Sequence, residues 1–288
     1  MQFINPHSVN YWLSILKRMS TSGQFDGEKA PDFLRPFHLV TLALAIKKHG
    51  IDVIDLPGQI QSYATRMHLW EAAGLEPPYQ VNENDRRFSL IPVRSIEDVK
   101  DIDEVSKAFE VIAAHHYEDG CSNDFGTVIS ELLDNCYRHA ERSEDLFGLA
   151  CVQTWEGGNK GQLCIADTGI GIRCALGQNE DLLERLNYDN ACQMATEFGV
   201  SGKLGKGHSG YGLALAKGVI DLNCGKLLVI SGDEGFESCA GVSRTFGLKS
   251  RWDGTVVILE WNLDQPLDSL PVYESWPSEE DDEYDDMF

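Results

Sequence analysis

The stretch NDFGTVISELLDNCYRHA, residues 123–140, decides the fold that we predict for this chain. Its apolar residues recur every three or four positions, which predicts a helix with one buried stripe. Glu131 and Asn135 lie one helical turn apart on the neighbouring stripe, so a carboxylate and a carboxamide can face a common ligand. Taken alone, E-x-x-x-N on an exposed helical face indicates only a solvated surface. The assignment therefore depends on the motifs that follow.

Two glycine-rich motifs follow this helix in order. QLCIADTGIGI, residues 162–172, predicts a buried strand that runs into Asp167 and then into a glycine turn. GKGHSGYGLALAKGVI, residues 205–220, predicts a glycine-rich loop that enters a helix. A glycine loop at a helix N-terminus exposes backbone N–H groups and the positive end of the helix dipole, which suits phosphate.

Together the three motifs resemble the N, G1 and G2 boxes of the GHKL, or Bergerat-fold, ATPases. This family includes gyrase, mismatch-repair ATPases, sensor histidine kinases and the anti-sigma-factor serine kinases. The resemblance covers about residues 105–263 and rests on Glu131, Asn135, Asp167, Gly169, Gly171, Gly207, Gly210 and Gly212. It implies an α/β fold, a Bergerat-type sandwich in which a mixed sheet carries helices on one face.

The resemblance also implies a site for ATP and Mg²⁺. Asn135 would ligate Mg²⁺ through its carboxamide oxygen, because this hard cation prefers oxygen ligands. Glu131 would act as the general base and is the candidate catalytic residue. Asp134 points about 100° further round the helix and is the weaker candidate for the base. Asp167 would accept a hydrogen bond from the exocyclic amino group of adenine.

The remaining candidate cofactor-binding residues lie in loops or at the end of the sheet. Backbone that approaches the nucleotide closely would use glycines, namely Gly169, Gly171, Gly207, Gly210 and Gly212. Residues 173–206 would form the ATP lid, with Lys203 best placed to meet a phosphate, although lysines in glycine loops are commonly just solvated. Thr255 matches a threonine of the GHKL family that helps to hold a water between the aspartate and adenine. The alternative is that Thr255 is an ordinary strand residue with no role in binding.

Composition limits the classes of partner. The chain has 288 residues and a formal charge of −22, which argues against binding nucleic acid because phosphate neutralisation needs a basic surface. Its eight cysteines are scattered without a C-x-x-C pair, as is typical of reduced core cysteines in a cytoplasmic protein. The longest apolar run, residues 39–46, is too short to span a membrane. We therefore expect neither nucleic acid nor membrane as a partner.

The sequence predicts four regions. Residues 1–30 form an N-terminal helix and linker, and residues 31–95 form a small α/β module that faintly resembles STAS domains. A plain helical extension packed on the ATPase core is the alternative for that module. Residues 96–265 form the GHKL ATP-binding domain. Residues 266–288 form an acidic, disordered tail, in which Trp276 is either an anchor for a partner or part of a solvating segment.

Three functions remain open at this stage. The first is a slow Mg-dependent ATPase that acts as a conformational switch for a protein partner, which could be STAS-like or a second copy of the chain in a homodimer. The second is an anti-sigma-type serine/threonine kinase, because the sequence RHA at residues 138–140 is closer to those kinases than to gyrase. The third is an ATP-binding interaction module without turnover. The presence of Glu131 argues mildly against the third.

Overall fold

The structure is a computed structural model that describes residues 2–80, 89–117, 121–139, 148–202 and 210–277, and within 121–139 only the side chains of 126–136. The helices are α1 (Pro6–Ser22), α2 (Pro36–His49), α3 (Gly58–Arg66), α4 (Leu69–Ala72), α5 (Val99–His116), α6 (Cys121–His139), α7 (Ile172–Leu176), α8 (Leu183–Leu186), α9 (Ala191–Met194), α10 (Gly212–Leu222) and α11 (Leu270–Glu274). The strands are β1 (Phe25–Asp26), β2 (Ile54–Asp55), β3 (Leu90–Ser95), β4 (Gly148–Trp155), β5 (Lys160–Asp167), β6 (Lys226–Cys239) and β7 (Val242–Asn262).

A five-stranded sheet in the order β3-β4-β5-β7-β6 forms the centre of the molecule. Every neighbouring pair in it is antiparallel, and the register pairs Ile165 of β5 with Val257 of β7. Seven of the eight residues of β5 are buried, so both faces of the sheet are covered at this strand. The predicted α/β fold is confirmed, with antiparallel pairing throughout this sheet where a mixed sheet was expected.

One face of the sheet carries α5, α6 and α10. Their apolar stripes join the sheet in a single hydrophobic cluster that includes Phe109, Leu133 and Val219 together with Leu163 of β5. Helix α6 spans almost the same residues as the helix predicted at 123–140. The motif-bearing helices α6 and α10 therefore lie on the same side of the sheet.

The opposite face is covered by the N-terminal helices α1 and α2. Trp12 and Phe37 belong to one hydrophobic cluster with Cys164 and Ile258 of the sheet. Every residue of α2 from Pro36 to Ile46 is buried, as is typical of a helix between two layers. The backbone N–H of Phe37 also donates to the side-chain Oε1 of Gln162 over 3.0 Å. The division of the chain into four regions remains a prediction. The structure shows in addition that residues before 96 share a hydrophobic core with the sheet.

Local departures from the predicted elements have simple causes. The sequence of residues 59–73 predicts a single helix, which the structure divides into α3 and α4 because His68 adopts a left-handed conformation with φ 56°. The sequence of residues 225–232, 236–240 and 254–263 predicts three closing strands, and the structure joins them in one long hairpin of β6 and β7, with register shifts near Gly232. Within the described parts of the chain, no helix combines the length and the hydropathy that a membrane crossing requires.

Candidate functional site

A cavity of about 250 Å³ lies between α6, α10 and the sheet. The predicted site residues that line it are Glu131, Asn135, Asp167, Gly171, Gly210, Gly212 and Thr255. Gly169 is not among the lining residues, but its backbone N–H donates to Asp167, which is one of them. Lys203 and Gly207 lie outside the described residues. The structure therefore brings together residues that are up to 124 positions apart in the sequence.

Asp167 ends β5 and is 7% exposed. Its Oδ1 accepts hydrogen bonds from the backbone N–H groups of Gly169, at 2.7 Å, and Thr255, at 3.2 Å. Burial raises the pKa of this carboxyl group from 3.8 to about 7, although both hydrogen bonds act in the opposite direction. No hydrogen bond from the described residues reaches Oδ2. Asp167 thus offers an acceptor for a donor group of a bound ligand.

The glycine turn after Asp167 is fixed by the middle of the β6–β7 hairpin, next to its register shifts. Gly171 has φ +78°, and a Cβ there would lie 2.7 Å from Ser231 Oγ. That hydroxyl accepts from the backbone N–H of Ile172 at 2.9 Å and donates to the carbonyl of Gly254 at 2.8 Å. The indole Nε1 of Trp252 donates to the carbonyl of Asp167 at 3.1 Å. Side chains from both β6 and β7 therefore hold the turn, and at position 171 only glycine fits.

Helix α10 begins against the polar stripe of α6. A Cβ at Gly212 would lie 3.2 Å from both the side-chain nitrogen of Asn135 and the Cβ of Glu131. Glu131 is exposed and Asn135 is partly buried. Tyr211, at the N-cap of α10, lines the same cavity. The first turn of a helix has unpaired N–H groups and the positive end of the helix dipole, so this border of the cavity favours an anion.

A family model described as histidine kinase-, DNA gyrase B- and HSP90-like ATPase matches residues 120–265, about half of the chain. The chain belongs to this family, the GHKL ATPases. The matched range begins just before α6 and ends just after β7, so it contains all three predicted motifs. A search of curated proteins and a search of solved structures each found no match. Membership in the GHKL family supports ATP binding by this domain.

The GHKL cavity combines an apolar slot with a polar end. Its apolar lining comes from the sheet and from the flanking helices, namely Leu132, Ile165, Ile172, Leu176, Leu213 and Val257. A flat heterocycle suits such a slot, and Asp167 supplies a polar group in the same cavity that can fix its orientation. The polar stripe of Glu131 and Asn135 lies beside the start of α10, where phosphates are favoured.

Sequence reasoning missed two residues that shape this GHKL site. Ser231 and Trp252 hold the glycine turn through side-chain hydrogen bonds, yet both lie on strands more than 60 positions after Asp167. A serine and a tryptophan in strands carry no local signal for such a role. Only the pairing of β5 with β7, and of β7 with β6, brings them to the turn.

Proposed function

We propose that this chain binds ATP in the cavity and hydrolyses it slowly with Mg²⁺, as a conformational switch for a protein partner. The observation that supports this best is that Glu131, Asn135 and the start of α10 meet in the same cavity as Asp167. A base, a metal ligand, an anion-binding helix end and an adenine acceptor are the parts that ATP hydrolysis needs.

Adenine is the base that the slot fits best. Its exocyclic amino group is a donor, and the buried Asp167 carboxylate is an acceptor whose Oδ1 is already held by two backbone N–H groups. Guanine has a carbonyl oxygen at the corresponding position, and an acceptor facing an acceptor is unfavourable. We therefore expect ATP to bind in strong preference to GTP.

Asn135 fits the role of the Mg²⁺ ligand. Mg²⁺ commonly takes one or two protein oxygens and completes its shell with water and substrate phosphates, so a single carboxamide beside the phosphate end is a sufficient donor set. When bound, the ion would neutralise charge on the phosphate oxygens. Within the described residues there is no group of three or more His, Cys, Asp or Glu side chains that could hold a metal. In this proposal Asn135, water and the phosphates of the nucleotide would together supply the ligands of the metal.

Glu131 would activate the attacking water. Its carboxylate is exposed at the cavity, one turn before Asn135 on α6. It would accept a proton as the water oxygen bonds to the γ-phosphorus, and the bond to the β–γ bridging oxygen breaks to leave ADP. The N–H groups at the start of α10 would stabilise the negative charge on the phosphate oxygens.

A serine/threonine kinase of the anti-sigma type is the second candidate. It is favoured by the sequence RHA at residues 138–140, whose side chains lie outside the described set. In that case Glu131 would accept the proton of a protein hydroxyl instead of water. The partner would then be the phosphate acceptor, and water alone would give little turnover.

Phosphate release from Mg-ATP tests the proposal. We expect slow release by the wild type, and a loss of about a hundredfold or more in Glu131→Gln, which keeps the size of the side chain and removes the base. Asn135→Ala should lose Mg-dependent nucleotide binding. Asp134→Asn tests the weaker candidate for the base, which lines the same cavity, and should keep most of the turnover. Nucleotide binding without phosphate release would contradict the ATPase, and transfer of the γ-phosphate to a protein would support the kinase.

A further inference from the structure

The segment that follows β7 runs back along α10. We call residues 263–277 the strap. At the C-terminal end of α10, the fully buried Asn223 donates its Nδ2 to the strap carbonyls of Gln265, at 2.8 Å, and Pro266, at 3.3 Å. At the other end, Trp276 of the strap lies 5.2 Å from Tyr211, the N-cap of α10, measured between ring centroids. The strap therefore touches both ends of the helix that borders the cavity.

The middle of the strap is fitted to a glycine of α10. A Cβ at Gly218 would lie 2.6 Å from Cγ1 of Val272, which is buried. Glycine is unfavourable inside a helix, because it loses more backbone freedom than alanine on folding. At this position it gives Val272 the room to lie directly on the helix. The contact along α10 is therefore close packing between two shaped surfaces.

Three aromatic rings join the end of the strap to the cavity wall. Phe198 and Tyr211 stack with centroids 4.6 Å apart and planes at 13°, and Trp276 lies 4.7 Å from Phe198. We call these three residues the aromatic clasp. Tyr211 lines the cavity, as does Val200, two residues after Phe198. The sequence left Trp276 as either an anchor for a partner or part of a solvating segment, and in the structure its ring packs on Phe198 and Tyr211 of the same chain.

We propose that the strap regulates the nucleotide site, with Trp276 as a positioning residue that acts through Tyr211 on the first turn of α10. This inference rests on the proposed ATP binding. While the strap is docked, the first turn of α10 is already held in place, so less conformational entropy is lost when phosphate binds there. A docked strap therefore favours nucleotide binding. Because coupling between two sites is reciprocal, bound nucleotide must also favour the docked strap.

Calorimetric titration with ATP tests the first half of this coupling. Trp276→Ala should weaken ATP binding about three- to tenfold, the size expected for one or two aromatic contacts, and Trp276→Phe should restore most of the affinity. Leu270→Ala is the matched control, since Leu270 is on the same strap, is 57% exposed and is not one of the clasp rings. Its affinity for ATP should equal that of the wild type.

Hydrogen exchange on the wild-type full chain tests the second half and needs no variant to fold. ATP should slow amide exchange within residues 270–276, a change that a purely structural role of the strap does not require. If the wild type does not bind ATP, both the proposed function and this inference fail. If it binds ATP while Trp276→Ala binds equally well and exchange in the strap is unchanged, the coupling is wrong and the ATP site stands.

Discussion

The backbone N–H of Thr255 donates to Oδ1 of Asp167 over 3.2 Å, which joins the last strand of the sheet to the carboxyl group in the cavity. The same oxygen accepts from Gly169. The sequence singled out Thr255 for its hydroxyl, and that role stays a prediction. Its backbone has a second role, because it stabilises the ionised form of a carboxyl group that burial otherwise disfavours.

We predict that ATP lowers the pKa of Asp167. In the free protein the pKa lies at about 7 because the group is buried. A hydrogen bond from adenine favours the ionised form, so the pKa should fall in the ATP complex. Carboxyl ¹³C NMR titration of the free and ATP-bound protein measures this directly. An Asp167 pKa that is the same in both states would contradict the placement of adenine.

The same raised pKa has a consequence for stability. The pKa of Asp167 is higher in the folded protein, at about 7, than the ordinary 3.8 of an unfolded chain. Its contribution to the free energy of unfolding is therefore fully present below about pH 4 and is lost as the pH rises through about 7. Asp167→Asn should remove this decrease, which urea unfolding between pH 4 and pH 8 would measure.

Gly171→Ala should destabilise the protein more than Gly241→Ala does. Both glycines have left-handed backbones, with φ +78° and +80°, so alanine costs about 1–2 kcal/mol of strain at either position. Only at Gly171 would the new methyl group also meet Ser231 Oγ, at 2.7 Å, whereas Gly241 has nothing within 4 Å. Urea unfolding of the two variants measures the cost of this crowding, to which the Gly254 carbonyl at 3.3 Å also contributes. Equal losses of stability would show that the turn has room for a methyl group at position 171.

Glu260→Ala should cost about 3 kcal/mol or more in the free energy of unfolding. This buried carboxylate accepts from Arg35 at 3.1 Å, from Gln162 at 2.8 Å and from the backbone N–H of Ile4 at 2.6 Å. Removing it leaves three donors without their acceptor. Asp233→Ala is the control, because its ion pair with Arg251 is largely exposed and should contribute less than about 1 kcal/mol. Similar losses in both variants would contradict the role of Glu260 as a buried link to the N-terminal region.

A fragment of residues 96–277 should not fold alone. The sheet face that carries Leu228 and Ile258 shares its hydrophobic cluster with Trp12 and Phe37, so removing the N-terminal region exposes a wide apolar surface. We expect this fragment to aggregate or to bind a hydrophobic dye, and to become soluble when residues 1–95 are co-expressed. A stable, monomeric fragment with a cooperative unfolding transition would instead support the division at residue 96.

The motif-bearing elements were predictable because their signals are local. The apolar period of α6 and the glycines that follow Asp167 and precede α10 mark both the elements and their ends. The hairpin of β6 and β7 was divided in the prediction, because Gly232 and Gly254 resemble strand ends. In the structure both have positive φ and lie inside the hairpin, where the register shifts or the strand meets the glycine turn.

The place of the N-terminal region was harder to predict, because packing between distant elements decides it. The helix-strand-helix pattern of residues 37–73 is compatible with a separate module. The sequence holds one hint in α2, whose apolar residues surround the helix instead of forming one stripe, as is typical of a helix buried on all sides. The anchors Arg35–Glu260 and Phe37–Gln162 link residues more than 120 positions apart and have no local signal.

The measurement that tests the central claim most directly is calorimetric titration of the full chain and of Asp167→Asn with ATP and GTP. We predict that the wild type binds ATP in strong preference to GTP, and that Asp167→Asn remains folded but loses most of its affinity for ATP, because its amide can present a donor where adenine requires an acceptor. Absence of ATP binding by the wild type, or equal ATP affinity in Asp167→Asn, would contradict an adenine nucleotide site in this cavity.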